Sequence, residues 1–261
     1  MMYYETLNIE IDDRNVASVV LNQPDTRNAL SAQMIADLTD MAETLGARED
    51  IRAIVLSGAG KVFCAGGDLK WMKQQIEADR ATRMKEARKL AMMLNALNEM
   101  PTPLIGRVHG GAFGGGIGMC CVCDVIIADD NTKFGLTETK LGLIPATISP
   151  YVLARMGEGN ARRVFMSARI FEAAEAKELG IVSKAVASEM LDAAVEAEVS
   201  PYLSVAPRAV GASKALARKL GPKIDPGVID QTIEMLADIW AGEEAAHGID
   251  AFLNKQPPRW T

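Results

Sequence analysis

The chain has 261 residues, of which 49% are hydrophobic and 24% charged, a size and composition that suit a globular domain with a large core and exclude disorder, collagen-like structure and low-complexity repeats. With 28 Lys+Arg against 34 Asp+Glu the formal charge is -6 and the pI about 5.1, which weighs against nucleic-acid binding as the main activity while leaving room for a local basic spot that holds one phosphorylated ligand. The apolar runs stop well short of the roughly 20 residues that span a bilayer, and the start, Met1-Met2-Tyr3-Tyr4-Glu5-Thr6, lacks the basic and apolar regions of a signal peptide, so a cytoplasmic protein with no membrane partner is expected.

Alternation of apolar and polar residues over Leu7–Ile11 and Val16–Leu21, around the turn Asp12-Asp13-Arg14-Asn15, predicts a β-hairpin. After the polar run Gln23–Asn28, Ser31 offers an N-cap to a helix carrying Met34, Ile35, Leu38, Met41 and Leu45 on one face. A strand at Ala53–Leu56 leads through a glycine-rich loop, Gly58–Gly67, and a polar stretch into a second helix with Leu90, Met93, Leu94 and Leu97 inward, ended by Pro101 and Pro103. Leu104–Val108 reads as a buried strand, Gly110–Gly116 as a loop entering a helix, and Val125–Ala128 as another strand. The strand-loop-helix unit thus recurs every 40 to 50 residues or so, the pattern of a stacked α/β architecture. From Ala173 onward helical patterns dominate: Glu189–Val199, Ala206–Leu220, Pro226–Trp240 and Ala245–Asn254. A boundary is expected near Pro201, between a core over residues 1–200 and a helical region over 201–261 whose uncovered apolar faces would pack on another domain or subunit. Cys64, Cys120, Cys121 and Cys123 have neither disulfide-framework nor zinc-site spacing and read as buried reduced thiols, so no metal is expected.

Three segments could carry chemistry. Phe63-Cys64-Ala65-Gly66-Gly67-Asp68-Leu69-Lys70 brings two glycines and an acid to the end of a strand-loop unit, where glycine lets a backbone N–H approach a ligand or simply makes a tight turn. Gly110-Gly111-Ala112-Phe113-Gly114-Gly115-Gly116-Ile117-Gly118 opens a helix after a strand, which suits an anion or a developing oxyanion as well as it suits close helix-sheet packing; it matches neither a dinucleotide fingerprint nor a P-loop. Glu138, within Phe134–Pro145, is an acid in a largely apolar segment: either paired, for instance with Lys140, or raised in pKa for proton transfer.

Together, Arg27-Asn28-Ala29-Leu30, Phe63–Lys70, Gly110–Gly118, Asp124, Phe134–Pro145 and Phe252-Leu253-Asn254-Lys255 resemble the crotonase, or enoyl-CoA hydratase/isomerase, family over nearly the whole length. The resemblance implies an α/β fold, a crotonase-like spiral of ββα units followed by a C-terminal helical trimerisation region, assembled as a homotrimer or a dimer of trimers. It implies an acyl-CoA substrate, with coenzyme A part of that substrate and no separate cofactor. It places a thioester oxyanion hole at the N–H groups of Gly67 and Gly115 and proton transfer at Glu138. The CoA contacts it implies are Arg27, Ala29, Leu30, Ala65, Asp68 and Leu69, with Phe252 and Lys255 in some members reaching over from a neighbouring subunit. Trp71, Met72, Gly118 and Ala146 would wall the acyl pocket.

One departure matters. Family hydratases carry a second glutamate just after the triple glycine, and this chain has Gly118 there. Hydration needs a base for water and an acid for the α-carbon, so one carboxylate would serve both in turn or the substrate would supply the other. A glutamate restored at 118 would then be expected to favour plain crotonyl-CoA. Leu141–Tyr151, reading Leu-Gly-Leu-Ile-Pro-Ala-Thr-Ile-Ser-Pro-Tyr, resembles the bacterial hydratases of branched glutaconyl-CoA esters, methylglutaconyl-CoA and isohexenylglutaconyl-CoA among them. The competing readings are a one-carboxylate enoyl-CoA isomerase, which Gly118 favours, and a non-catalytic CoA- or RNA-binding scaffold, against which the acidic pI and Glu138 argue.

Overall fold

The structure, a computed structural model, describes residues 3–261; Met1 and Met2, part of the N-terminal stretch read above, lie outside the described residues. Strands β1 (Leu7–Ile11) and β2 (Val16–Leu21) form the expected antiparallel hairpin, with Leu7 opposite Leu21 and Ile11 opposite Ala17. Its turn closes on Asp12, whose Oδ1 accepts from the N–H of Arg14 and of Val16, both at 2.9 Å. Ser31 caps α1 (Ala32–Thr44) by accepting from the N–H of Met34 at 3.1 Å. Strand β3 (Ala53–Gly58) is followed by α2 (Leu69–Glu77) and α3 (Arg80–Glu99), and then by β4 (Leu104–Val108), β5 (Gly111–Phe113), α4 (Gly115–Val122), β6 (Val125–Asp129) and β7 (Lys133–Gly135). The chain continues through α5 (Ser149–Phe165), β8 (Ile170–Glu172), α6 (Ala173–Glu178), β9 (Lys184–Val186), α7 (Leu191–Val199), α8 (Pro207–Leu220), α9 (Pro226–Trp240) and α10 (Glu243–Leu253).

Six strands lie in the order β1-β2-β3-β4-β6-β9, parallel from β2 onward, and β5-β7-β8 form a separate three-stranded sheet. Each repeat therefore adds one strand to the large sheet, and the later repeats add one to the small sheet, so the chain climbs as a spiral. The core between the sheets and α1, α3 and α4 is filled by aliphatic side chains and methionine, with Phe63, Phe134 and Tyr151 the largest fully buried groups. All four cysteines are buried and free; burial pushes the thiols of Cys64, Cys121 and Cys123 up to about 12, so they pack as small hydrophobes.

Several elements were not legible from periodicity. The polar stretch after Gly67 is in fact helix α2, with Met72 and Gln75 as its only buried positions, too sparse an apolar face to register as a stripe. The glycine loop after β4 contains the three-residue strand β5, and α5 begins at Ser149, within the Leu141–Tyr151 segment; neither carries a period in the sequence. Ser188–Met190 forms a separate 3₁₀ turn before α7 rather than part of that helix.

The C-terminal helices differ among themselves. Helix α8 buries none of its residues. In contrast, Ile229, Ile233, Leu236, Trp240, Ala245 and Ile249 of α9 and α10 share an apolar cluster with Met72, Ala87, Ala91, Leu143 and Ala146, each large side chain there worth roughly 1.5–3 kcal/mol of burial. Helices α9 and α10 thus form a wall over α2 and α3, and that wall faces the glycine loops. Among the described residues no helix is long and apolar enough to cross a membrane.

Candidate active site

The three candidate segments converge. Arg27 and Asn28 both adopt left-handed backbone, φ 55° and 53°, which folds the chain back so that Ala29-Leu30 runs beside Ala65–Asp68. The N–H of Ala65 bonds Arg27 O at 3.0 Å, that of Leu30 bonds Gly66 O at 2.7 Å, and that of Asp68 reaches Leu30 O at 3.3 Å. Buried Asn28 secures the crossing: its Nδ2 donates to Ala59 O and Val62 O at 2.8 and 2.9 Å, and its Oδ1 accepts from the N–H of Gln23 at 3.0 Å. In the sequence Asn28 is one residue of a motif, and the pair of left-handed residues is what gives it this role.

Leu30 pairs with Gly67 in a parallel bridge whose two hydrogen bonds use Gly66 O and the N–H of Asp68, so they flank Gly67 and leave its own N–H out of the ladder. The loop is exposed at Gly67. Asp68 is the N-cap of α2, accepting from the N–H of Trp71 at 2.9 Å, which commits its carboxylate to the helix and aims the helix start at the loop. Leu69 is half exposed, Ala65 partly buried.

Cys64 pairs with Ala112, its N–H donating to Gly111 O at 3.1 Å and its carbonyl accepting from the N–H of Phe113 at 3.0 Å. This places the second glycine loop against the first. Gly115 is the first residue of α4, so its N–H has no intrahelical acceptor and lies at the positive end of the helix dipole. A Cβ on Gly115 would come within 2.5 Å of Leu30 Cδ1. Leu30 is therefore a neighbour of both Gly67 and Gly115.

Glu138 arrives from the neighbouring strand. Strand β7 runs parallel to β5, with Phe113 opposite Gly135, and the N–H of Gly114 bonds Gly135 O at 3.0 Å. Three residues past that strand, Glu138 turns its carboxylate onto the glycine loop. A Cβ on Gly114, whose φ is +47°, would lie 2.9 Å from Glu138 Oε1, so the backbone angle favours glycine there and the carboxyl group lies against it. Glu138 is partly exposed as a residue, but its Oε2 is buried without a hydrogen-bond partner. Loss of solvent raises its pKa to about 7. No ion pair to Lys140 forms among the described residues; Lys140 is exposed.

The remaining candidates fall in two groups. Met72 and Ala146 are buried in the α9–α10 cluster, Trp71 is half-buried beside them, and a Cβ on Gly67 would touch Met72 Sδ at 4.0 Å, so this wall begins at the glycine loop. Phe252 and Lys255 lie at the exposed end of α10, a helix whose Gly248 packs so close that a Cβ would meet Leu141 O at 2.6 Å. Gly118 is the exception. It lies inside α4, packed: a Cβ there would come 2.6 Å from Ile148 Cγ2, 3.1 Å from Ile148 Cβ and 3.4 Å from Leu94 Cδ1. The direction a glutamate would take from position 118 is filled by Ile148, so the expected restoration by a Gly118→Glu change meets a steric obstacle that the sequence did not reveal. Of the two histidines, His109 Nε2 bonds Gly60 O at 2.9 Å and His247 Nε2 accepts from the N–H of Arg259 at 2.9 Å, both structural contacts.

What the arrangement can do follows from its parts: N–H groups free of the ladder at Gly67 and of the helix at Gly115 can stabilise an oxygen that gains charge, and a carboxyl group with a pKa of about 7 can move a proton. Comparison with known proteins gives the family. Residues 12–261 match the family model described as enoyl-CoA hydratase/isomerase. The chain is 36% identical to a crystallographically solved enoyl-CoA hydratase from Shewanella pealeana, with a TM-score of 0.80 over 98% of this chain and 96% of that one. It is 32% identical to the solved enoyl-CoA hydratase of Mycobacterium smegmatis, TM-score 0.80, covering 98% of each chain. Enoyl-CoA hydratase ACTT6 of Alternaria alternata is 31% identical over 236 residues, 90% of this chain and 77% of that protein.

Proposed function

The chain belongs to the enoyl-CoA hydratase/isomerase family, and on that premise we propose that it adds water to an α,β-unsaturated acyl-CoA, a branched glutaconyl-CoA ester, with Glu138 as the one proton-transfer group. The observation that carries this reading is the Glu138 carboxyl group, whose Oε1 lies against Gly114, one residue before Gly115, and whose Oε2 is buried and unpartnered. In the reaction, the oxygen of water bonds the β-carbon and its proton passes to the Glu138 carboxylate. The π pair shifts through the α-carbon onto the thioester oxygen, whose charge meets the N–H groups of Gly67 and Gly115. Glu138 then returns a proton to the α-carbon as the enolate collapses. A pKa of about 7 suits a group that must accept and donate in one cycle. Arg27–Leu30 and Ala65–Leu69, which the fold brings side by side, would hold the coenzyme A portion, and Phe252 and Lys255 would meet it from the end of α10.

The branched glutaconyl assignment draws its support from the Leu141–Tyr151 segment and from the packing of Gly118 on Ile148, which leaves no room for a second carboxylate. The same packing favours a second reading, an isomerase in which Glu138 carries a proton between two carbons and no water is activated. A panel of crotonyl-, 3-methylcrotonyl-, 3-methylglutaconyl- and 3-enoyl-CoA with products identified by mass separates the two. Gain of one water on the glutaconyl ester is the expected result; an isobaric product from the 3-enoyl ester alone would replace hydration by isomerisation.

The reading also makes the protein a trimer or a multiple of three. Its support is α8, which buries nothing and exposes Leu216 and Leu220 at 57% and 79%, an apolar face suited to a second copy. Light scattering at micromolar concentration is expected to give such a multiple, and a monomer would remove it.

A further inference from the structure

Helix α10 meets the turn that carries Glu138 with no side chain between them. Glu138–Leu141 is a single 3₁₀ turn, closed by Gly142 in left-handed backbone at φ +67°. A Cβ on Gly142 would lie 2.5 Å from the carbonyl carbon and oxygen of Glu244 and 2.7 Å from the nitrogen of Ala245. One on Gly248 would lie 2.6 Å from the carbonyl carbon and oxygen of Leu141. The contact is therefore backbone against backbone, made twice, once from each element toward the other. A side-chain contact can give by changing rotamer; these cannot, so they fix the distance from helix to turn. Ala245, Gly248 and Ile249 share the inner face of α10 at helical spacing and are all buried, and α10 packs on this turn more than on α2 or α9.

The turn passes that distance on to Glu138. The carbonyl of Glu138 accepts from the N–H of Leu143 at 3.1 Å and shares the N–H of Gly142 with Thr139 O. A shift at Leu141–Gly142 thus pulls on the residue whose carboxyl group lies against Gly114. Burial is what holds that group's pKa at about 7, and no charged side chain contributes to the shift. The charged groups on the elements around it, Lys133 on β7, Lys140 on the turn and Glu243, Glu244 and Asp250 on α10, are exposed, and His247 of α10 is occupied by the N–H of Arg259.

We propose that α10 sets the depth at which the Glu138 carboxyl group is held, with Gly248 and Gly142 as the positioning residues. The proposal rests on the reading of Glu138 as the proton-transfer group and adds how that group is kept out of water. It also gives one helix two tasks. The element that places Glu138 carries Phe252, with Lys255 just beyond its end, so the residues that would meet coenzyme A and the contact that positions the acid belong to one piece of the fold.

The test is Gly248→Ala, whose Cβ must move the turn from 2.6 Å to an ordinary contact of at least 3.4 Å, a retreat of about 0.8 Å that lets water toward the carboxyl group. The protonated carboxyl band of Glu138 is followed by infrared titration, each protein measured against the same protein carrying Glu138→Gln. The midpoint is expected near pH 7 in the wild type and about one unit lower in Gly248→Ala, with the rise of kcat/KM with pH moving down alongside it. Gly211→Ala is the control. It crowds α8 against Pro101 Cβ at 3.0 Å, at the opposite end of β4 from the glycine loop, and is expected to leave the midpoint where it is. Should Gly248→Ala not fold, Ile249→Val slackens the same helix by one methyl group and is expected to lower the midpoint by a smaller step. A midpoint unchanged or raised in the folded α10 variant, or lowered equally by Gly211→Ala, overturns the proposal. So does a wild-type midpoint at the ordinary value of 4.5. Full turnover by Glu138→Gln alongside the expected midpoint shift would leave the α10 contact standing and remove Glu138 from the chemistry alone.

Discussion

Asp37 lies on the inner face of α1 against the start of β1, and Glu138 lies against the glycine loop at the end of β5, each with a carboxyl group withdrawn from water. Around Asp37 each carboxylate oxygen is met: Thr6 N–H and Thr6 Oγ1 donate to Oδ2 at 2.9 and 2.7 Å, and Gln33 Nε2 donates to Oδ1 at 2.7 Å. Asp124 is treated likewise, its Oδ2 bonded to Lys214 Nζ at 2.7 Å and to the N–H of Leu104 at 2.8 Å. Glu138 receives no such bond at Oε2. A carboxylate that holds a fold together is given donors; one that must gain and lose a proton is given burial and little else.

Exchanging carboxylate for amide at the two places breaks the comparison most directly. Glu138→Gln keeps the shape and removes the exchangeable proton, and kcat is expected to fall by about 10³-fold or more, near the upper range for a general acid-base group, while binding of an acyl-CoA stays within a few-fold. Asp37→Asn is expected to do the reverse, lowering the melting temperature and leaving kcat unchanged, since its partners lose a charged acceptor. Steady-state kinetics and thermal unfolding of both variants decide it. Full turnover by Glu138→Gln on the best substrate removes both the hydratase and the isomerase mechanisms.

The next largest effect separates the N–H of Gly115 from its lack of a side chain. Gly115→Pro deletes the donor at a helix position that otherwise tolerates proline, and a loss of about 10²–10³-fold in kcat is expected for one oxyanion donor. Gly115→Ala adds the same crowding against Leu30, 2.5 Å from the new Cβ, but retains the N–H. Its activity is expected to lie well above that of the proline variant; equal losses would assign the effect to crowding and remove Gly115 from the oxyanion hole.

Titration sharpens the contrast further. Folded Glu138 keeps its proton up to about pH 7, against an ordinary value near 4.5 in the unfolded chain. Between those values the folded state binds more protons than the unfolded one, so stability falls as pH rises and levels off above pH 7, a penalty of about 3 kcal/mol. Urea unfolding is expected to show Glu138→Gln gaining about 2 to 3 kcal/mol on the wild type between pH 5 and pH 8. In the same window kcat/KM of the wild type is expected to rise with pH through about 7, because water needs an ionised base. A flat difference in stability would mean the carboxyl group is solvated.

How much of this could be read from the chain depends on whether a residue acts through its own type or through what lies across from it. The hairpin, α1 with its Ser31 cap, and β3, α3 and β4 follow from local pattern, and Gly67, Gly115 and Glu138 stand in ordered motifs. Helix α2 escaped because only Met72 and Gln75 are buried on it, and β5 because three residues carry no period. Gln75 and Trp240 are about 165 residues apart in a chain whose α9 folds back over α2, so the small cavity they both line is a tertiary fact with no local signal. The packing of Ile148 on Gly118 is another.

That packing yields the smallest and last effect. If Gly118 were simply a missing catalytic residue, Gly118→Glu would be enough to install a second carboxylate. The new Cβ would instead lie 2.6 Å from Ile148 Cγ2, 3.1 Å from Ile148 Cβ and 3.4 Å from Leu94 Cδ1, and Ile148 is itself 2% exposed, so it cannot swing into solvent. Overpacking of this kind costs about 1–3 kcal/mol. Gly118→Glu alone is therefore expected to lower stability by that amount with no gain on crotonyl-CoA, and Gly118→Glu with Ile148→Ala to recover part of the stability and, with the side chain free to reach the site, to gain crotonyl-CoA hydration. Chemical denaturation and a crotonyl-CoA assay on the three proteins measure both. A single variant as stable as the wild type would show that Ile148 yields easily, and the position would then be open to a carboxylate that this chain simply does not carry.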